Sequence, residues 1–354
     1  MNRLHVIIPA GGVGSRLWPL SRKDRPKFLL DLRMSGKSLL QETIDRLAPI
    51  AASFTIVTGR AHEQAVRAQI PQGLDVTVLV EPQGRDSMPA IGLAAYVIRQ
   101  RFGDEAPIAS FAADHAITHP QVLLDCVERA LEVAQKGYVV TIGLKPLTPS
   151  TAYGYIAPGE TFEKESAEKG SIVRSFVEKP DEETAKRYCE QGYLWNAGMF
   201  IMTAGTLARA LRRFHPDMDT HLSAIGSQWG SESFAKTLSD EWPALTKIAI
   251  DHAIAEPLAS EGGVAVVPAM DMGWTDVGDF DALAQISSEG QALRIDSSGS
   301  FVRSLTGQKI VVVGAPNMAV IATEDAILVV DRNRAQDVKH VVDQLTQSGE
   351  EELL

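Results

Sequence analysis

Two cysteines, Cys126 and Cys189, are all that the 354 residues carry. That number cannot build a disulfide framework, nor a zinc site on its own. Cys126 falls on the apolar side of a predicted helix, where packing is its expected role. Long apolar runs are absent too, since none approaches the roughly 18 residues of a membrane span. No charged-then-apolar leader is seen, because Met1-Asn2-Arg3-Leu4-His5 runs straight into a strand pattern. These absences lead to the expectation of a cytoplasmic protein that does not engage membranes. Positive charge is short, with 34 Lys and Arg against 45 Asp and Glu and a net charge of −11. A nucleic-acid surface is therefore not expected, although an acidic protein can still hold a local basic cradle for a nucleotide. There is no internal repeat and no low-complexity segment. The final Glu350-Glu351-Glu352-Leu353-Leu354 reads as a solvated end.

What is present is an alternation of short apolar runs with helical patterns. Strands are predicted at His5–Pro9, Phe54–Thr58, Val76–Val80, Ile108–Phe111, Val139–Ile142, Ile172–Val177, Met199–Met202 and Gly263–Val267. An amphipathic helix is predicted from Pro120 to Gln135, with proline in its first turn and Gly137 past its end. A second runs from Ser87 to Arg101, with Ser87 as its cap. This pattern predicts an α/β fold with a mixed, mostly parallel sheet and helices on both faces. From about Asp296 the pattern changes to short strands, Phe301–Ser304, Lys309–Val313, Met318–Ala322 and Ile327–Val330, followed by a helix from Arg334 to Leu345. Two domains are expected, residues 1–285 and a small β-rich unit at 295–354. The junction is sought around Ser287, Ser288 and Gly290.

The most informative segment is Ile7-Ile8-Pro9-Ala10-Gly11-Gly12-Val13-Gly14-Ser15-Arg16-Leu17, followed by Arg25-Pro26-Lys27. A buried strand ends in a glycine-rich loop, and ligands of such folds sit at the carboxyl ends of the strands. Glycines let backbone N–H groups approach an anion. Arg16 can fork onto phosphate oxygens, and Lys27 adds a point charge. A dinucleotide loop would need a third glycine where Leu17 stands, and a long helix that Pro19 and Pro26 break, although Asp31 lies near the place of a ribose-binding acid. A P-loop ending in Gly36-Lys37-Ser38 would need a glycine in place of Asp31. The residues fit a triphosphate cradle, and a tight glycine turn with solvated charges is the alternative that this loop alone leaves open.

This order, Ala-Gly-Gly-x-Gly-x-Arg-Leu and then Pro-Lys, resembles the signature of sugar-1-phosphate nucleotidylyltransferases. Further segments follow in sequence: Glu81-Pro82 with Gly84-Arg85-Asp86-Ser87, Ala113-Asp114-His115, Tyr153-Gly154-Tyr155-Ile156, Glu178-Lys179-Pro180, Trp195-Asn196-Ala197-Gly198, Ile250-Asp251-His252-Ala253 and Trp274-Thr275-Asp276-Val277-Gly278. The series closely resembles the mannose-1-phosphate guanylyltransferases (GDP-mannose pyrophosphorylases). The resemblance implies a Rossmann-like nucleotidyltransferase domain followed by a short left-handed β-helix. It also implies Mg²⁺ held by Asp114 and Asp276, and a nucleotide site of Ala10, Gly11, Gly12, Gly14, Ser15, Arg16, Glu81 and Arg85. It further implies a sugar site of Gly154, Glu178, Asn196 and, less directly, Asp251, with Lys179 on the sugar phosphate. The chain departs from the family's pattern in three places. Phe28 follows Lys27 directly, Ala197 stands where serine is usual, and Asp279-Phe280 replaces Ser-Trp.

The implied reaction is attack by a sugar-phosphate oxygen on the α-phosphorus of GTP, with GTP and mannose 1-phosphate as substrates. A phosphate monoester has a second pKa near 6, so its oxygen is anionic at pH 7 and needs no general base. The chemistry calls instead for positioning and charge neutralisation by Arg16, Lys27 and Lys179. The same fold with another sugar or base, or a regulator that binds nucleotide sugars without turnover, are the alternative readings. The β-rich tail holds no implied catalytic group. It is expected to pack on the catalytic domain or a second subunit, in a homodimer, and to be dispensable for the chemistry itself.

Overall fold

The computed structural model describes residues 4–162, 170–287 and 292–354; of the predicted junction, Ser288 and Gly290 lie outside them. Its strands are β1 (Leu4–Ala10), β2 (Ala51–Gly59), β3 (Val76–Glu81), β4 (Pro107–Ser110), β5 (Ala116–Ile117), β6 (Val139–Leu144), β7 (Gly154–Thr161) and β8 (Ser171–Val177). They continue with β9 (Leu194–Thr203), β10 (Val264–Ala269), β11 (Trp274–Thr275), β12 (Leu293–Ile295), β13 (Phe301–Ser304), β14 (Val311–Val313), β15 (Met318–Ala322) and β16 (Ile327–Asp331). The main sheet has nine strands in the order β3-β2-β1-β4-β9-β6-β10-β8-β7, and β7 turns back to pair with β9 as well. β8 and β9 run against the other seven strands.

Both faces of this sheet are covered, so its central strands are apolar on both sides. Alternation along β1 divides the core in two. Ile7 faces a layer built by helices Ser87–Phe102, Ala204–Phe214 and Pro216–Ser227. Val6 and Ile8 face the layer of Leu39–Leu47 and Pro120–Ala134. The second of these starts on Pro120, as predicted, and carries Cys126 into the core. The other predicted helix is capped differently. Asp86, with φ of 68°, accepts the Ser87 N–H, while the Ser87 hydroxyl is used elsewhere and accepts the Ile250 N–H at 3.0 Å.

The tail is β-helix-like. β12 lies parallel to β14 and β13 parallel to β15, with Leu293 beside Val311 and Phe301 beside Ala319. The same sequence offset in both pairs is the mark of stacked coils. Its closing helix starts later than predicted, at Val338, and runs to Ser348. Residues Arg332–Asp337 form a tighter turn with Arg334 outside helical geometry. A third core joins this tail to the segment after the glycine loop. Leu17, Trp18, Leu20, Leu30, Leu32, Phe280 and Leu283 pack with Phe301, Ala319, Ile321, Leu328 and Val338. Of the chain end, Glu350, Glu351 and Glu352 are exposed, as expected, while the last two residues are docked. Leu354 is buried, the Trp18 indole N–H donates to the Leu353 carbonyl at 2.7 Å, and the Lys23 N–H donates to that of Leu354 at 2.9 Å.

Candidate active site

The glycine loop leaves β1 at Ala10, whose carbonyl is held by the Thr58 hydroxyl at 2.7 Å. Gly14 takes φ of 78°, and a Cβ there would come within 2.7 Å of the Lys27 Cβ. Only glycine allows that close approach. The Lys27 N–H donates to the Val13 carbonyl at 3.0 Å, so Pro26-Lys27 is clamped against the loop. Ser15–Leu17 form a single short turn that carries Arg16. Glu81 ends β3, separated from β1 by β2. One of its carboxylate oxygens is 3.5 Å from where a Gly11 Cβ would stand, and the other is buried with no hydrogen-bond partner. Burial pushes the Glu81 carboxyl up to about 7. Arg85 donates to the Leu245 carbonyl and, at 3.5 Å, to Gln83.

Asp114 follows β4 and Asp276 follows β11. The short pairing of β11 with β5, Trp274 beside Ile117 and Thr275 beside Ala116, draws the two loops together. Lys27 lies between them, its Nζ 2.6 Å from Asp114 Oδ2 and 2.7 Å from the Asp276 carbonyl oxygen. Burial is the largest single effect and opposes the Asp114 charge, but the Lys27 ammonium and its hydrogen bond, together with His115 and a backbone hydrogen bond, hold the carboxyl below its usual range. The Tyr153 hydroxyl donates to Asp276 Oδ1 at 3.1 Å. Burial and the Asp276 charge push that phenol well above its usual range, so it remains a donor. Val277 holds φ of 48°, unusual for a β-branched residue and a form of strain that concentrates at functional sites. A Cβ on Gly278 would press on Asp276 Oδ2 at 2.9 Å. His115 is kept neutral by burial, and its Nδ1 accepts the Trp274 indole N–H at 3.1 Å; it orients the β11 turn.

This donor set fits Mg²⁺ in one way. Among the described residues no three acidic, histidine or cysteine side chains converge on a metal site. Two carboxylates, one with Oδ2 left open beside Gly278, suit a hard cation that draws its other ligands from phosphate and water. They do not suit a cage made of protein alone.

The predicted sugar residues share one cleft of about 270 Å³, which Gly154, Glu178, Asn196, Asp251 and Asp276 line together with Tyr153 and Trp274. Asn196 sits where β9 meets both β6 and β7. Its Oδ1 accepts from the Thr141 hydroxyl at 2.9 Å and the Gly198 N–H at 3.2 Å, and its Nδ2 donates to Asp251 Oδ1 at 2.7 Å. The amide is thus fixed before any ligand arrives. Asp251 opens a π-helical turn, Asp251–Ala255, of the kind often found at functional sites. Burial, and then the nearby Glu178 charge, push its carboxyl up to about 6. Lys179 Nζ is paired with Glu178 Oε1 at 2.8 Å, and Lys179 itself has φ of 46°. Gly154 serves a purpose the sequence did not suggest. Its missing side chain makes room for Glu178, whose Oε2 would meet a Cβ there.

Several partners escape sequence reasoning. Tyr153 stands next to Gly154 in the sequence, but nothing there points to its contact with Asp276. Thr141 had no signal, since a strand threonine is ordinary. Gln336, in the tail, is the least legible: it accepts from Arg16 Nη1 at 2.7 Å through Oε1 and donates from Nε2 to Asp279.

Comparison with known proteins places the chain in a family. The family described as Nucleotidyl transferase matches residues 5–292, and one described as MannoseP isomerase/GMP-like beta-helix domain matches 290–345. A mannose-1-phosphate guanylyltransferase of Escherichia coli K12 is 35% identical over 99% of this chain and 75% of its own length. Another, from Salmonella muenchen, is 36% identical over 99% and 75%. A solved protein of Thermus thermophilus, named a mannose-1-phosphate geranyltransferase, is 31% identical with a TM-score of 0.83, covering 98% of this chain and 100% of that one.

Proposed function

Because this chain belongs to the nucleotidyl transferase family, we propose that it transfers GMP from GTP to α-D-mannose 1-phosphate, giving GDP-mannose and pyrophosphate. The observation that carries the reading is the single cleft that joins Asp276 to Glu178, Asn196 and Asp251, with the Lys27–Asp114 pair beside it.

The mannose 1-phosphate oxygen attacks the α-phosphorus in line, a P–O bond forms, and the bond to the β-phosphate bridging oxygen breaks. That oxygen leaves with pyrophosphate. The nucleophile is already anionic, so the side chains have to overcome repulsion between anions rather than move a proton. Backbone N–H groups of Gly11 to Ser15 and the Arg16 guanidinium receive the triphosphate. Lys27 neutralises charge on it from beneath the loop, and Lys179 meets the sugar phosphate. Asp114 and Asp276 would hold Mg²⁺, which when bound supplies charge stabilisation for the phosphates. Tyr153 keeps Asp276 oriented for that role. The Glu81 carboxylate, unpartnered in its pocket, is suited to accept from the guanine N1–H and 2-amino groups. Glu178 and the pre-set Asn196–Asp251 pair offer fixed partners to sugar hydroxyls, and a site built that way rejects analogues that misplace them. Residues 1–285 are the catalytic unit in this reading and 295–354 its support. In this reading the enzyme acts in the cytoplasm as a homodimer. Among the described residues no helix is long and apolar enough to cross a membrane.

The test is a matrix of nucleoside triphosphates against hexose 1-phosphates, read by pyrophosphate release. GTP with mannose 1-phosphate should give the highest kcat/KM. Preference for another sugar or base would leave the reaction class and end this assignment, and no release from any pair would favour a non-catalytic regulator. In the same assay Asp276→Asn should lower kcat by at least ~10²-fold, the scale of losing one charge-stabilising element.

A further inference from the structure

The tail sends one side chain to the phosphate loop. Arg16 Nη1 donates to Gln336 Oε1 at 2.7 Å, and Gln336 Nε2 donates to Asp279. Asp279 is three residues past Asp276 and also caps the helix Phe280–Ile286, accepting the Ala282 N–H at 3.0 Å. The glutamine amide therefore bridges the loop that carries Arg16 and the turn that carries Asp276. Its orientation is set by chemistry, since only the oxygen can accept from a guanidinium and only the nitrogen can donate to a carboxylate. Further packing fixes the position of the residue. Ala335 and Val338, either side of it, are buried in the core shared with Leu17, Trp18 and Phe280.

We propose that Gln336 is a positioning residue for triphosphate binding, through which the β-helix-like tail holds Arg16 over the reaction centre. A long arginine on a loop loses rotamer freedom when it grips phosphate. Gln336 takes up part of that cost in advance by restraining the guanidinium near the place it is used. The other guanidinium N–H groups remain free of Gln336 and can meet phosphate oxygens. Asp279 completes the link, so the Arg16 loop and the Asp276 turn are set relative to one another by a residue of neither.

This inference rests on the functional reading above, and its test separates the two. Wild-type protein, Gln336→Ala and the near-isosteric Gln336→Glu are compared with Arg16→Ala and the Gln336→Ala/Arg16→Ala double variant. Steady-state kinetics are measured with each substrate varied in turn, alongside calorimetric binding of GTP and thermal melting. Gln336→Ala should raise the KM and Kd for GTP roughly tenfold, the scale of a hydrogen bond to a charged group. The KM for mannose 1-phosphate should be unchanged. In the Arg16→Ala background the same substitution should add nothing, because its effect runs through Arg16. Gln336→Glu should weaken GTP as well, since it sets a carboxylate against Asp279. Unchanged GTP parameters in both single variants would overturn the proposal. So would an equal rise in both KM values accompanied by a lower melting temperature, or an undiminished effect in the double variant. If the wild-type enzyme releases no pyrophosphate, the functional reading fails, and the GTP affinities still decide the role of Gln336.

Discussion

Glu81 carries a physical contradiction that the fold leaves unresolved, a carboxylate with a buried oxygen and no partner. Its folded pKa, about 7, lies above the ordinary 4.5. The stability linked to its proton is therefore full below pH 4.5 and lost as pH rises through 7. Glu81→Gln should remove that loss. Between about pH 5 and 8 the wild-type melting temperature, taken without nucleotide, should fall relative to the variant's, and parallel melting profiles would refute the assignment. Groups of this kind were legible in the sequence because they break local pattern. Gly14, Arg16, Asp114 and Asp276 all stand where a strand run stops. The residues that orient them were not legible. Nothing in the spacing of Thr141, Tyr153 or Gln336 states that they meet Asn196, Asp276 and Arg16, because those meetings are made by sheet order and packing. Arg85, read from its motif, donates to the Leu245 carbonyl, a partner that no spacing announced.

At the scale of elements, the parallel half of the sheet was readable because strands covered on both faces leave unbroken apolar runs, as in β1, β4 and β6. β7 was not. Its inner half is buried while Pro158, Gly159 and Glu160 reach towards solvent, so it carries no single pattern. Yet β7 matters to the site, since Gly154 is paired with Asn196 in β9 and leaves space for the Glu178 carboxylate beyond the end of β8. Gly154→Ala should push that carboxylate out of the cleft. The KM for the sugar phosphate should rise roughly tenfold or more, given that a displacement near 1 Å can cost about 10²-fold in rate, while the KM for GTP stays as it was. Matched kinetics with either substrate varied would decide it, and an unaltered sugar KM would sink this account of the glycine.

At the scale of the whole molecule, the sequence indicated that the tail must pack on something, but not that it packs beside the phosphate loop. Leu17, Trp18, Leu20 and Leu30 share a core with Phe301, Ile321 and Leu328, and Arg303 donates to the Leu32 carbonyl at 2.7 Å. Removal of residues 293–354 should therefore do two things. It should expose that apolar surface and cause aggregation, seen by light scattering, and the remaining soluble protein should saturate poorly with GTP. The second outcome differs from the expectation of intact chemistry, because Arg16 loses its partner. A truncated protein that is soluble, equally stable and equally avid for GTP would contradict both. The shared core also bears on inheritance. Coils of a β-helix look like interchangeable parts, and relatives 35% identical would look like ready donors of a replacement. The joint between Gln336, Arg16 and Asp279 has to be matched in any such donor. A graft succeeds only when both sides of the joint travel together, so the tail, residues 16–32 and Asp279 should drift through evolution as a matched set.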